Sequence, residues 1–221
     1  MQPDKHERTH AAIMQQAISE ACKNGMERLS FSVLAEQLGM SKSGVYAHFG
    51  SVDALHLQVV EAYCLRFERQ TFGAALAVPP GLPRLRVIFA NWCGHIGAGN
   101  WLEVPPFGGA GEPGQVAAPA RQKWIKALLA WRARLAACVS DAMAARQLSA
   151  CTNRTQLADD IYGLIVVLHH EIRFFNNADA VRRAVARFRS MLSAAGARAE
   201  RRHAADHQGA IAHSWMGLLT D

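Results

Sequence analysis

The spacing of apolar residues constrains this chain more than any other feature: they recur at steps of three and four, and nowhere do they alternate. Steps of three and four put side chains on one face of a helix, whereas a half-buried strand needs a period of two. An all-α fold is therefore expected. Over Thr9 to Asn24, the residues Ile13, Met14, Ala17, Ile18, Ala21 and Cys22 define a first helix, which Asn24-Gly25 stops. A second begins at Ser30, buries Phe31, Leu34, Ala35 and Leu38, and ends at Gly39. A third begins at Ser41, carries Val45, Tyr46 and Phe49, and breaks at Gly50-Ser51. Serine at a helix start accepts a bond from an exposed amide, and glycine at the end takes the left-handed turn that other residues resist.

Beyond Ser51 the elements lengthen. Leu55, Val59, Tyr63, Cys64 and Phe67 mark a helix from Val52 to about Ala77, closed by Pro79-Pro80-Gly81, and Leu82 to Ile96 reads as the next. The Gly- and Pro-rich stretch from Gly97 to Pro119 is expected to be a long loop of the kind that often faces a ligand. Trp124, Leu128, Trp131, Leu135, Cys138 and Val139 form a stripe running to about Arg146. Leu157 to Phe175 is apolar on every side and has to be covered twice. Asp179 to Ala195 returns to a single stripe of Val181, Val185, Phe188, Met191 and Leu192. The chain thus divides into a three-helix unit (1–51), a larger helical domain (52–197) and a polar tail (198–221).

Bulk properties remove other classes. A chain of 221 residues, 50% hydrophobic and 19% charged, can bury a core and is neither fibrous nor disordered. The polar start from Met1 to His10 lacks the order of a secretory signal, and the apolar run Leu164 to Leu168 is far short of the roughly 20 residues a spanning helix needs. A cytoplasmic location away from membranes is expected. Cys22, Cys64, Cys93, Cys138 and Cys151 form no Cys-x-x-Cys pair and read as buried reduced thiols. No cofactor or metal is implied. Gly109 to Gly114 matches a dinucleotide fingerprint only formally, with no strand before it, and His203, His207 and His213 fall in the polar tail. Asp159 and Asp160 are adjacent and point apart on a helix, so no catalytic carboxylate pair is evident either.

The net charge is +6, yet residues 1–50 hold Lys5, Arg8, Lys23, Arg28 and Lys42 against Asp4, Glu7, Glu20, Glu27 and Glu36. The excess comes largely from Arg182, Arg183, Arg187, Arg189, Arg198, Arg201 and Arg202. Charge alone therefore makes no case for nucleic acid, and the case rests on a motif. Ala35 is small where two helices would cross, Gly39 suits the turn, and Val45 and Phe49 anchor the following helix. Ser41, Lys42, Ser43, Tyr46, Ala47 and His48 are left facing outward, with groups suited to phosphates and base edges. This is the helix-turn-helix unit, whose second helix lies in the major groove.

The run Leu34-Ala35-Glu36-Gln37-Leu38-Gly39-Met40-Ser41-Lys42-Ser43-Gly44-Val45-Tyr46-Ala47-His48-Phe49 resembles the DNA-binding signature of the tetracycline-repressor (TetR) family, over roughly residues 9–55. The resemblance implies phosphate contacts from Tyr46 and His48 and base-edge or groove contacts from Ser41, Lys42, Ser43, Gly44 and Ala47, with Ser30 completing the set. Val52 stands where family members usually carry a lysine. The resemblance also implies a regulator, usually a repressor, that grips a palindromic double-stranded operator as a homodimer and is released by a small effector. The larger domain would then bind the effector and pair through its last two helices. Ile161, Leu164, Ile165, Leu168, Ile172, Val181, Val185, Phe188 and Leu192 are the expected interface residues. Trp92, Cys93, Ile96, Trp101, Phe107, Trp124, Tyr162 and His169 are the expected lining of an apolar cavity for a mainly apolar or aromatic effector. The competing reading is a helical small-molecule-binding protein or enzyme whose helix-turn-helix is vestigial.

Overall fold

Asp4 and Glu7 open the first helix, α1 (Lys5–Asn24), with a capping box: Glu7 accepts from the Asp4 amide at 3.1 Å while Asp4 caps the first turn. The helix therefore starts before Thr9, where the sequence pattern places it, because a polar first turn carries no periodic signal. A computed structural model describes residues 4–102 and 116–206, those beyond 196 by backbone alone. Gly25 (φ 91°) ends α1 and leads into a 3-10 turn at Met26–Arg28. Then come α2 (Phe31–Leu38), α3 (Lys42–Phe49) and α4 (Val52–Glu68). Ser30, Ser41 and Ser51 accept from the amides of Val33, Gly44 and Ala54 at 3.3, 3.0 and 3.1 Å, so three successive helices start on the same side-chain cap.

Ile13, Leu34, Val45, Leu55 and Val59 bring α1 to α4 together in the N-terminal core. A buried polar tie fixes α2 on α1. Gln37 donates to Glu20 at 2.7 Å and accepts from Gln16 at 2.8 Å, while Asn24 donates to the other Glu20 oxygen. A buried carboxylate needs such donors to offset its lost hydration.

The sequence pattern runs α4 on to Ala77 as one helix. The structure instead ends the α-helix at Glu68, widens it into a π-turn at Arg69–Gly73 and tightens it into a 3-10 turn at Ala74–Ala77. The side-chain amide of Asn91 donates to the Gln70 and Thr71 carbonyls, both at 3.3 Å, which satisfies backbone oxygens at the widened turn. The widening brings Phe72 inward beside Phe67. The larger domain is completed by α5 (Leu82–Gly97), α6 (Ala118–Ala144), α7 (Arg154–Arg173) and α8 (Ala180–Asp206). The α5 start is capped from a distance, with Leu82 donating to the Gln147 side chain at 2.7 Å. Helix α8 continues through Asp206, past both Ala195 and the expected tail boundary at 197. All described regular structure is helical, and no described helix is long and apolar enough to cross a membrane. Cys22, Cys64, Cys93 and Cys138 are buried, with burial raising each thiol's pKa, whereas Cys151 is exposed and departs from the expected set.

His56 on α4 is buried under the same core, with Nε2 at 3.3 Å from the Leu29 carbonyl and Nδ1 without a partner among the described residues. Burial holds its pKa below the ordinary 6.5, outweighing the Leu29 bond and the charge of Asp53. A histidine that resists protonation when folded, but not when unfolded, costs stability as pH falls below that ordinary value. The thermal midpoint is expected to drop between about pH 7 and pH 5, and His56→Gln to flatten the drop. Parallel pH curves for the two proteins would exclude His56 as its source.

Candidate functional site

At the N-terminal end the turn between α2 and α3 is set by Gly39, in the left-handed conformation at φ 63° and ψ 32°, and the Met40 amide returns to the Ala35 carbonyl at 2.9 Å. Val45 and Phe49 are buried beneath α3, which leaves Lys42, Ser43, Tyr46 and Ala47 exposed on its outer face. Tyr46 is 54% exposed and leans its ring edge on Phe31 at 5.7 Å, so its hydroxyl is projected away from the core.

Two expected contact residues also serve the fold. Ser30 and Ser41 hold the helix starts through their oxygens, and the Ser41 hydroxyl also lies 3.2 Å from that of Ser43. A Cβ added at Gly44 would lie 3.1 Å from Ser41 Oγ, so the glycine protects the cap as well as allowing close approach. His48 is half-buried rather than fully outward. Its ring stacks on His6 at 4.3 Å and tilts against His10 at 6.0 Å. Burial, then the charges of His6 and His10, hold its pKa below the ordinary 6.5. The part played by α1 is absent from the sequence reading. Its only trace there is the His6-x-x-x-His10 spacing, which puts both rings on one helix face.

Among the described residues, two junctions tie the larger domain to the N-terminal unit. One junction is α4 itself; the other is Arg173 at the end of α7, which donates to the Lys23 carbonyl at 2.7 Å and the Cys22 carbonyl at 3.4 Å. A guanidinium at the last carbonyls of α1 is a favourable cap for the negative end of that helix.

Most of the residues expected to line a cavity are brought together, but as packed rings. Trp92, Trp101, Trp124 and Trp131 lie at centroid separations of 5.6–6.4 Å, mostly edge to face or tilted. Tyr162 reaches Trp92 at 6.2 Å and His169 reaches Trp101 at 6.1 Å. Cys93 and Ile96 are buried on α5, and Phe107 lies outside the described residues. Rings in such arrangements attract each other beyond their burial, and the side chains themselves occupy the space. Tyr63, Phe67, Phe72, His95 and Trp131 belong to this cluster and are missing from the expected lining. The stripe Tyr63-Phe67 on α4 is visible in the sequence but reads there only as core.

The residues expected at an interface divide by burial within this chain. Ile161, Leu164, Ile165, Leu168, Phe188 and Leu192 are buried within this chain's own core, and Phe188 stacks on Phe89 at 3.9 Å. Ile172, Val181 and Val185 keep partial exposure. The outward stripe of α7 is Gly163, Val166, Val167, His170 and Phe174, with Val166 and Val167 49% and 45% exposed. A helix apolar on all sides gives no periodic sign of which side faces this chain's own core.

The cap geometry makes one prediction. Ser41→Ala should lower stability by about 1 kcal/mol through loss of the α3 cap. Ser43→Ala, two residues on in the same exposed turn, should leave stability within about 0.5 kcal/mol of the parent. Urea unfolding of both variants tests the distinction, and equal losses would refute it.

Comparison with known proteins fits this geometry. Residues 13–59 match "Bacterial regulatory proteins, tetR family", and residues 81–188 match "Tetracyclin repressor-like, C-terminal domain". Among solved structures, a TetR-family transcriptional regulator from Agrobacterium tumefaciens aligns with a TM-score of 0.72 at 16% identity, over 86% of this chain and 99% of its own. A second, from Cytophaga hutchinsonii, aligns at 0.65 and 13% identity, over 88% and 98%. AibR, solved with isovaleryl coenzyme A and operator DNA, aligns at 0.57 and 16% identity, over 72% and 85%. No match was found among curated proteins.

Proposed function

This chain belongs to the tetracycline-repressor family of transcriptional regulators, and from that premise we propose that it is a repressor whose homodimer holds a palindromic operator until a small apolar or aromatic effector releases it. One observation carries the DNA reading: α3 is capped and anchored from below by Val45 and Phe49, and turns Lys42, Ser43, Tyr46 and Ala47 outward together. Short polar and basic side chains on one exposed helix face match the major-groove geometry of this motif. In the complex, Tyr46 donates to a phosphate, Lys42 and Ser43 read base edges or the adjoining backbone, and His48 adds a hydrogen bond to the backbone. AibR, solved with both a ligand and operator DNA, is a precedent for the two activities in one relative.

A dimer must present two α3 helices about 34 Å apart, or a multiple of it, to meet successive major-groove faces. We assign the pairing surface to the outward stripe of α7 around Val166 and Val167. Exposed valines on a helix face are what a second subunit would cover. Effector and operator then compete through one conformational equilibrium, each weakening the other by the same factor.

Two measurements test this. Fluorescence anisotropy with upstream DNA should show affinity falling steeply with salt, because phosphate contacts release counterions. Tyr46→Phe should weaken every operator variant alike, whereas Lys42→Ala should also change their ranking. Affinity of Tyr46→Phe equal to wild type across the set would remove the phosphate role. Separately, Val166→Glu is expected to give a folded monomer in sedimentation and to lose at least about tenfold in operator affinity, because one half-site alone binds weakly. A dimeric Val166→Glu protein would place the interface elsewhere.

A further inference from the structure

Trp101 stands outside every helix, yet its indole sits among rings drawn from four of them. Phe67 of α4 lies at 5.6 Å, Trp92 of α5 at 5.8 Å, Trp124 and Trp131 of α6 at 5.6 and 6.4 Å, and His169 of α7 at 6.1 Å. The chain reaches this point by a sharp reversal after α5, where Gly99 has φ 69° and the Asn100 amide returns to the His95 carbonyl at 2.9 Å. The Tyr63 hydroxyl, on α4, holds the reversal: it donates to the Asn100 carbonyl at 3.0 Å and also bonds the Leu102 backbone. Trp92, Trp124 and Trp131 are fully or nearly fully buried, while Trp101 alone among these four keeps partial exposure. Lifting a side chain from a non-helical segment breaks no helical hydrogen bonds, so Trp101 is the ring that can leave.

What it would leave is a space the size of an indole, walled by aromatic faces. Trp92 Nε1 belongs to a residue with no exposed surface and has no acceptor among the described residues. An unmet buried donor costs free energy that an occupant bearing an acceptor would recover. Charge narrows the occupant further. Guanidinium groups of Arg66, Arg132 and Arg134 already lie 5.8, 5.3 and 5.2 Å over the Tyr63, Tyr162 and Phe72 rings. The nearby carboxylates Asp159 and Glu68 are paired with Arg132 and Arg134. A cation entering here would meet like charge with no unpaired carboxylate offered by those two residues to balance it.

We propose that the Trp101 indole is a built-in occupant of the effector site, and that the effector is an uncharged, flat, two-ring aromatic with a hydrogen-bond acceptor, which takes its place. This rests on the reading of the protein as an effector-released repressor. Displacing Trp101 draws Asn100 away from Tyr63, whose hydroxyl is then buried without its acceptor. The helix that must adjust is α4, which continues into the N-terminal unit. Ligand entry and the DNA end are thereby joined through the Tyr63 hydroxyl.

The test uses three probes of one size. Quinoline carries an acceptor nitrogen, naphthalene carries none, and N-methylquinolinium carries a positive charge. Full-length protein labelled with fluorotryptophan is followed by fluorine NMR at mildly alkaline pH without DNA, the Trp101 line being assigned with Trp101→Phe. Quinoline is expected to move the Trp101 line toward the position of free fluorotryptophan and to bind at least about tenfold more tightly than either control. Tyr63→Phe, which lacks the pin, should bind quinoline about fivefold more tightly than wild type. Trp101→Ala, with the space already open, should bind it more tightly still. A Trp101 line unmoved at millimolar quinoline overturns the proposal, as does N-methylquinolinium binding as well as quinoline. Because no DNA is present, the outcomes separate. An operator-binding protein whose Trp101 never moves has its effector site elsewhere, whereas displaced Trp101 with undiminished operator binding supports the site and refutes release.

Discussion

One helix has to satisfy two cores at once, and the rest of the structure is arranged around that demand. The first half of α4 closes the N-terminal unit with Leu55, His56 and Val59; its second half puts Tyr63 and Phe67 into the ring cluster. A close-packed interior does not deform smoothly, so a shift at one end of such a helix is either absorbed by broken contacts or passed on. Phe67 alone touches the rings of Phe72, Trp92, His95, Trp101 and Trp131. The cluster is therefore as much the anchor of α4 as the core of the larger domain. The π-turn that follows Glu68 belongs to the same arrangement, since it brings Phe72 inward and gives Asn91 of α5 two carbonyls to hold.

Much of this was legible from residue spacing alone, and the reason differs element by element. The helix-turn-helix is local: a serine cap, a left-handed glycine and two apolar anchors lie within twenty residues, and each acts on near neighbours. Its geometry follows from the residues with almost no help from the rest of the chain. The same is true of the α6 stripe, where Trp124, Trp131 and Leu135 share one face and are all buried. Where the period is lost, spacing alone does not say which side turns inward. Helix α7 is apolar all round, and only packing against α5, α6 and α8 decides that Ile161, Ile165 and Leu168 turn inward. The first turn of α1 and the widened turn after α4 were likewise hidden, one because its capping residues are polar, the other because a change of helical pitch leaves the residue order untouched.

The ring cluster shows a second limit. Composition marks a region rich in tryptophan, but whether those rings surround a space or fill it depends on distances that no spacing rule contains. The same applies to the histidines. His48 lies about forty positions beyond His6 and His10 in the chain, and their stack beside α3 exists only because the fold brings the start of α1 against that helix. The neutral charge balance of the N-terminal residues also gains a structural sense here, because Asp4, Glu7 and Glu20 are engaged in caps and ties rather than projecting freely.

The grip of Arg173 on the last carbonyls of α1 gives the N-terminal unit a fixed point that lies off the axis of α4. A body held at one such point, and pushed at another, does not slide; it turns. From Tyr63 to Val52 the helix spans about 16 Å, so α4 is the arm and the Arg173 contact the fulcrum. A small sideways movement among the rings would emerge at α3 as a change of angle, and the direction of that swing depends on where Arg173 holds the end of α1.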